Sequence, residues 1–159
     1  MIPRQKLIDA AQTIVELASH YGGAPHREMR VDGLTYGVLH ERFGVRRQHH
    51  VNGGRIDFKQ PGFNPVVIEF AVRTQAHLNE VYGSQNEDEL RKLAKQVKMS
   101  ARYLLLLDLS GKDPLTQDQL QKSYNGINAG RGRFPRKSVR VVYVHPEENH
   151  HFLWQPWAD

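Results

Sequence analysis

The stretch Gly54-Arg55-Ile56-Asp57-Phe58 reads as a β-strand, and so does Pro65-Val66-Val67-Ile68-Glu69-Phe70-Ala71-Val72-Arg73. Between them, Lys59-Gln60-Pro61-Gly62-Phe63-Asn64 has the Pro, Gly and Asn that are typical of a tight turn. Each strand carries one acid, Asp57 or Glu69, within an apolar run. A carboxylate that faces a core is costly unless it is paired or binds a metal. Two such acids on adjacent strands therefore predict a shared site, and Mg²⁺ is its natural occupant.

Around this pair of strands, apolar periodicity predicts alternating helices and strands. Helices are predicted over 4–21, 31–43, 86–101 and 115–127. Gly44 is expected to end the second helix, and a capping box of Asn86 and Glu89 to begin the third. Further strands are predicted over 45–51, 103–109, 139–144 and 151–154, with a hairpin turn at Asn52-Gly53. Gly22-Gly23 is expected to end the first helix, 25–30 to form a linker, and 126–135 to form a basic, glycine-rich loop. An antiparallel meander followed by helical crossovers predicts an α/β fold, a three-layer sandwich with a central mixed β-sheet flanked by helices.

Length and composition indicate one ordinary globular domain. The chain has 159 residues, of which 39% are hydrophobic and 25% charged, and it has no cysteine. Disulfides and cysteine-based zinc sites are therefore excluded. No apolar run approaches the ~20 residues of a membrane span. Because the start of the chain also lacks the apolar stretch of a signal peptide, we expect a cytoplasmic location.

The charge balance favours a polyanionic partner. The net charge is +5 with histidines neutral, which makes nucleic acid the first candidate. The basic residues form two clusters, one before and around the Asp57 strand and one near the end of the chain. They are Arg42, Arg46, Arg47, His49, His50, Arg55 and Lys59 in the first, and Arg131, Arg133, Arg136, Lys137 and Arg140 in the second. A solvated surface without a partner is the alternative interpretation of either cluster.

The acids and nearby cations suit phosphodiester cleavage. A magnesium ion takes oxygen ligands, activates water and neutralises charge on a phosphate. Alternate residues of a strand share a face, so Lys59 accompanies Asp57 and Arg73 accompanies Glu69. Either cation could complete the site. Ordinary ion pairs of the two acids with Arg55, Arg73 or Lys59 remain the structural alternative.

At these residues the chain resembles the PD-(D/E)XK nuclease superfamily, the restriction-endonuclease-like fold. The resemblance rests on the leading helix, the strand Arg46-Arg47-Gln48-His49-His50, the Asp57 strand and Val67-Ile68-Glu69-Phe70. It covers residues ~31–109 in the order helix, three strands, helix, strand. The part from Arg46 to Phe58 looks most like the small very-short-patch-repair-type endonuclease branch. The resemblance implies a single nuclease-like domain over 1–159.

The resemblance also implies roles for particular residues. Asp57 and Glu69 would hold Mg²⁺ or Mn²⁺, and an acid of the first family helix would match Glu41, with Glu28 behind it. The family motif continues Glu-x-Lys, but this chain has Ala71 at the lysine position. The lysine role would then pass to Lys59, which we favour, or else to Arg73 or to Lys92 or Lys95 on the following helix. Arginine is the weaker choice because it does not lose its proton.

Two functions follow. The first is a magnesium-dependent nuclease that acts on DNA rather than RNA, alone or as a homodimer. In that hypothesis Asp57, Glu69, Lys59 and Glu41 are the catalytic residues, and the nucleic-acid-binding residues are Arg46, Arg47, Arg55, Arg73, Arg131 and Arg133. The second is a catalytically inactive protein of the same fold that binds nucleic acid or a protein partner, for which Ala71 is the main support. A structural or inhibitory subunit that binds neither ranks last, because it gives the basic clusters no purpose.

Overall fold

A computed structural model describes residues 2–20, 28–51, 54–127 and 139–155, with the backbone alone at 28–30 and 48–51. Within these ranges the chain forms four α-helices and six β-strands. In chain order they are α1 (Arg4–His20), α2 (Glu28–Phe43), β1 (Arg46–Val51), β2 (Gly54–Gln60), β3 (Val66–Arg73), a 3₁₀ turn (Gly83–Gln85), α3 (Glu87–Ala94), β4 (Ala101–Asp108), α4 (Gln117–Asn125), β5 (Val139–Val144) and β6 (Asn149–Trp154). None of the helices in these ranges combines the length and the hydropathy that a bilayer crossing requires.

The six strands form one open, mixed sheet in the order β1-β2-β3-β4-β5-β6. The meander β1-β2-β3 is antiparallel, β3, β4 and β5 run parallel, and β6 returns antiparallel to β5. Each parallel step needs a crossover, and α3 and α4 lie in the two connections. The predicted α/β class with a mixed sheet is therefore confirmed.

Helices cover both faces of this sheet, and each face has its own core. On one face α1 and α2 pack through Leu7, Ile14 and Leu39 against Ile68 and Leu105. On the other face the buried residues include those of α3 and α4, namely Leu90, Leu93, Leu120 and Tyr124, together with Val67, Leu104 and Val141 of the sheet. Burial on both sides explains why β3 and β4 read as continuous apolar runs. The polar Glu69 and Arg73 stand out in β3 for the same reason.

Three local predictions are corrected by the structure. Residues 28–30 belong to α2 instead of a linker. The helix after Asn86 ends at Ala94, so the stripe expected to continue through Val97 and Ala101 is wrong; Val97 is exposed and Ala101 begins β4. The predicted capping box at Asn86 does not form, because its side-chain amide instead donates to the carbonyls of Glu80 and Tyr82.

Two other helix ends are well defined. Gly44 ends α2 with a φ of 65°, which glycine adopts without strain, and its N–H donates to the His40 carbonyl at 2.8 Å. A complete capping box opens α4, where Thr116 and Gln119 satisfy each other's backbone N–H groups. The predicted Gly22-Gly23 stop, the Asn52-Gly53 turn and residues 128–135 of the basic loop lie outside the described residues.

Candidate active site

Asp57 and Glu69 meet where β2 and β3 separate. The two strands pair through Gln60↔Val66, Lys59↔Val67 and Phe58↔Ile68. The next positions along this register are Asp57 and Glu69. There a side-chain hydrogen bond takes the place of the backbone ladder, because Asp57 Oδ2 accepts from the Phe70 N–H at 3.1 Å. The two acids therefore occupy adjacent positions at the end of the β2–β3 ladder, as the sequence predicts.

A change of face along β2 accompanies this separation. In a regular strand, residues two apart share a face. Phe58, however, packs in the core beneath α1 and α2, whereas Ile56 packs in the core beneath α3 and α4. Strand β2 therefore twists at Asp57 while it stays paired with β1 on both sides, as at His49↔Ile56 and Arg47↔Phe58. The twist separates β2 from β3 at the position of the two acids.

Glu69 is a buried acid with a strongly perturbed proton affinity. It is only 1% exposed and lies between Val67 and Ala71 of the core on the α3 face. Burial, and after it the hydrogen bond to Asp57 and the charge of Asp57, together raise the pKa of Glu69 to about 9, although Lys92 partly opposes the shift. At neutral pH Glu69 consequently keeps a proton beside Asp57. Such an arrangement is typical of paired carboxyl groups in functional sites.

Lys92 of α3 supplies the cation at this pair. Its Nζ lies 2.6 Å from Glu69 Oε1 and donates a hydrogen bond of 2.8 Å to the Arg55 carbonyl oxygen. Although the ion-pair distance is short, Glu69 Oε1 accepts no well-aligned hydrogen bond within the described part of the chain. The Lys92 ammonium therefore contacts this oxygen electrostatically, without the alignment of a hydrogen bond.

Lys59 and Glu41, the other residues proposed for catalysis, form no ion pair with this cluster among the described residues. Lys59 faces the same side as Val67 and Arg46, its register partners, and forms no ion pair with Asp57 or Glu69 among the described residues. Glu41 is exposed on α2, which packs with α1 on the opposite face of the sheet. Lys92, which the sequence offered only as an alternative, is thus the lysine that contacts Glu69. It flanks the buried Leu90, Leu93 and Ala94 of α3, a position that periodicity alone could have marked.

The predicted nucleic-acid-binding arginines have different surroundings. Arg46 and Arg55 are exposed near the acids. Arg47 pairs with Asp32 at 3.0 Å and lies over the Tyr36 ring, on the α2 face. Arg131 and Arg133 lie outside the described residues.

Arg73 belongs to a buried network that the sequence did not reveal. Its guanidinium pairs with Asp108 at 2.8 Å and donates to the Leu78 carbonyl. Asp108 also accepts from Tyr143 Oη at 2.5 Å and from the backbone N–H and hydroxyl of Ser110. Burial and the bond to Asp108 raise the pKa of the Tyr143 hydroxyl. The Arg73 guanidinium is therefore buried and bound to partners inside the fold.

The donor set at β2 and β3 suits a hard divalent cation. Two carboxylates are enough for Mg²⁺, which usually keeps several waters and takes only one or two protein carboxylates. Across the described ranges, no three His, Cys, Asp or Glu side chains cluster in metal-binding geometry. Asp57 and Glu69 are thus the residues that would hold such an ion.

Comparisons of this chain with protein-family models, with curated proteins and with solved structures each gave no significant match. The chemistry of the site therefore rests on its own geometry.

Proposed function

We propose that this protein is a divalent-metal-dependent nuclease of the restriction-endonuclease-like fold that hydrolyses phosphodiester bonds, with DNA as its substrate. The observation that carries the proposal is the convergence of Asp57, Glu69 and Lys92 where β2 and β3 separate. The order of helix, antiparallel meander, helix and parallel strand around them agrees with that fold. The net charge of +5 agrees with a polyanionic substrate.

The charges at the site are compatible with a bound divalent cation. With Glu69 protonated, Asp57 at −1 and Lys92 at +1 give a neutral cluster, which the interior tolerates. With a divalent cation bound and Glu69 ionised, the same three side chains and the ion sum to +1. A site that turns positive on loading is suited to hold a phosphate.

In this proposal the site still contains a lysine, although position 71 is alanine. Ala71 lies on the same face of β3 as Glu69, and α3 packs over that face. Lys92 reaches Glu69 from this helix, so the lysine role passes from the strand to α3. A bound Mg²⁺ would supply Lewis acidity toward the phosphate. The residues of the chain would do the rest: Asp57 and Glu69 orient the ion, and Lys92 places a positive charge beside the attacked phosphate.

Cleavage assays on isosteric variants test the proposal. Plasmid and single-stranded DNA are incubated with Mg²⁺ or Mn²⁺ and either the wild-type chain or a variant. The wild-type chain should cleave the DNA, and Asp57→Asn and Glu69→Gln should each be inactive. The circular dichroism spectra of both variants should match that of the wild-type chain. Asp88→Asn removes an exposed acid of α3 and serves as the matched control with full activity. Full cleavage by the Asp57→Asn/Glu69→Gln double variant would refute the assignment.

Calorimetry separates the nuclease from a binding protein without catalysis. A nuclease of this kind binds Mn²⁺ in a manner that requires Asp57 and Glu69. Salt-sensitive DNA binding with no ion binding and no cleavage would instead favour the non-catalytic alternative.

A further inference from the structure

Phe63 is the most exposed large apolar side chain in the described ranges. It is 99% exposed, whereas the other exposed large hydrophobic residues there, Leu78, Val97 and Leu153, reach only 37–39%. A phenylalanine ring that is fully in water gains nothing from the hydrophobic effect. Its position at the tip of the β2–β3 turn therefore needs a reason outside the core.

The turn itself does not require an aromatic residue. Gly62, with a φ of 124°, provides the unusual backbone conformation, and Pro61 and Asn64 are ordinary turn residues. Phe63 has no ring contact or core partner within the described part of the chain. Its side chain is thus presented to solvent by a turn that would form equally well with a polar residue.

The connection between α3 and β4 lies against the Phe63 turn, and the two form one continuous surface. The Ser100 N–H donates to the Pro65 carbonyl at 2.8 Å, and the Ser100 hydroxyl contacts the Asn64 side chain at 3.4 Å. These bonds hold the connection between α3 and β4, which exposes Lys95, Val97 and Lys98, beside the Phe63 turn. We call the turn 61–65 and the connection 95–100 the tip surface.

The tip surface has one sign of charge. Residues 58–68 and 90–107, which include the tip surface, contain Lys59, Arg91, Lys92, Lys95, Lys98 and Arg102 but neither Asp nor Glu. Lys95 and Lys98 are exposed and Lys59 is half-buried, whereas Arg91 pairs with Glu87, Lys92 contacts Glu69 and Arg102 is buried. A ring in solvent among lysines matches the combination of aromatic platform and cationic groove that binds single-stranded nucleic acid.

The spacing between the tip surface and the two acids matches a few nucleotides of a single strand. Along β2, Gln60 follows Asp57 by three residues, which is ~10 Å at the rise of a strand. Lys59 and its partner Arg46 lie on this path and face the same side as Val67. At ~3.4 Å per stacked nucleotide, the turn then begins about three nucleotides from the Asp57–Glu69 pair.

We infer that Phe63 is a base-stacking platform for an unpaired stretch of the nucleic acid, held beside the Asp57–Glu69 site by Lys59, Lys95 and Lys98. This inference deepens the proposed function and rests on it, because it names a substrate that is single-stranded or locally opened. A duplex would offer its phosphates to the lysines but no base face to Phe63. An unpaired base offers both.

The test compares two ligands that differ only in their bases. Binding of the full chain to a fluorescent 12-nucleotide oligo(dT) and to an abasic strand of equal length is measured by anisotropy in EDTA, so that no cleavage occurs. The wild-type chain should bind oligo(dT) more tightly than the abasic strand. Phe63→Ala should weaken oligo(dT) binding about 5- to 100-fold and leave abasic binding unchanged. Phe63→Tyr should retain the preference, and Leu153→Ala on the distant edge strand β6 is the matched control.

Each result has a defined meaning. Equal oligo(dT) affinity of the wild-type chain and Phe63→Ala would overturn the inference, and so would an equal loss for both ligands, which indicates a structural role. Lys98→Ala should lower the salt slope of binding by about one without affecting the preference for bases. The cleavage assay with Asp57→Asn and Glu69→Gln is scored separately. Catalysis without a role for Phe63 would overturn only this inference, and base stacking without catalysis would overturn the nuclease assignment.

Discussion

Lys92 and Glu69 meet across two elements that are not adjacent in sequence: Nζ of the α3 lysine lies 2.6 Å from Oε1 of the β3 glutamate. The lysine is held from its other side by the Arg55 carbonyl of β2. Lys92 thereby connects α3 to both strands that carry the candidate metal-binding acids. Its side chain remains 23% exposed, so it can contact a ligand from solvent while it touches a buried carboxyl group.

Replacing Lys92 should therefore damage catalysis more than binding. We expect Lys92→Met to lower the cleavage rate about 100-fold or more, within the range for positioned catalytic side chains, because the phosphate loses its nearby cation. The pKa of Glu69 should rise above its value in the wild-type chain, because the Lys92 charge lowers it there. Single-turnover kinetics at saturating DNA measure the rate.

Lys122→Met is the control for this variant. Lys122 is exposed on α4, so the substitution removes the same charge without touching Glu69 or the tip surface. It should leave the rate at saturation within about twofold of the wild-type rate. Equal losses in both variants would indicate that Lys92 contributes only general positive charge.

The acids could be predicted from sequence because they are local features. Glu69 interrupts an apolar strand that is buried on both faces, and Asp57 follows Ile56 on a neighbouring strand. A buried acid contradicts its surroundings whatever the tertiary fold, so sequence alone marked both positions. The alternation of strands and helices likewise located all six strands.

The lysine that contacts Glu69 could not be predicted from local sequence, because the contact depends on a long-range crossing. The alternation rule placed Lys59 on the face of Asp57, and its register partner Val67 lies in the core on the α3 face, but Lys59 forms no ion pair with either acid among the described residues. Lys92 reaches Glu69 only because α3 crosses the sheet at that point. Arg73 was placed correctly on the face of Glu69, but its partner Asp108 comes from the parallel register of β4, which local sequence does not encode.

The Arg73–Asp108 pair should matter for stability. Asp108 is fully buried, so Asp108→Asn leaves Arg73 without its counter-ion in the interior and should cost about 3–5 kcal/mol of unfolding free energy. Urea denaturation measures the change. Glu87→Gln breaks the half-exposed Arg91–Glu87 pair of α3 and should cost less than about 0.5 kcal/mol. Similar costs for the two variants would contradict a structural role for the buried pair.

The metal-free protein should become less stable as the pH rises. The pKa of Glu69 is raised from 4.5 to about 9 on folding, so the folded chain binds one more proton than the unfolded chain between these values. This contribution to stability is complete below pH 4.5 and is lost progressively up to pH 9, with a slope of at most about 1.4 kcal/mol per pH unit. Urea denaturation of the wild-type chain and Glu69→Gln in EDTA isolates the effect, because the difference between them should follow this slope. A difference that stays constant from pH 5 to pH 8.5 would contradict it.

The same proton links metal binding to pH. Because Glu69 must ionise to ligate a cation, binding of Mn²⁺ at pH 7 should release about one proton, and the apparent affinity should rise up to tenfold per pH unit until about pH 9. Calorimetric titrations in buffers with different ionisation enthalpies count the protons. Glu69→Gln carries no such proton, so any residual binding through Asp57 should be independent of buffer and nearly independent of pH over the same range. Proton-neutral Mn²⁺ binding by the wild-type chain at pH 7 would mean that the ion binds without ionising Glu69, and it would contradict the assignment of Glu69 as a metal ligand.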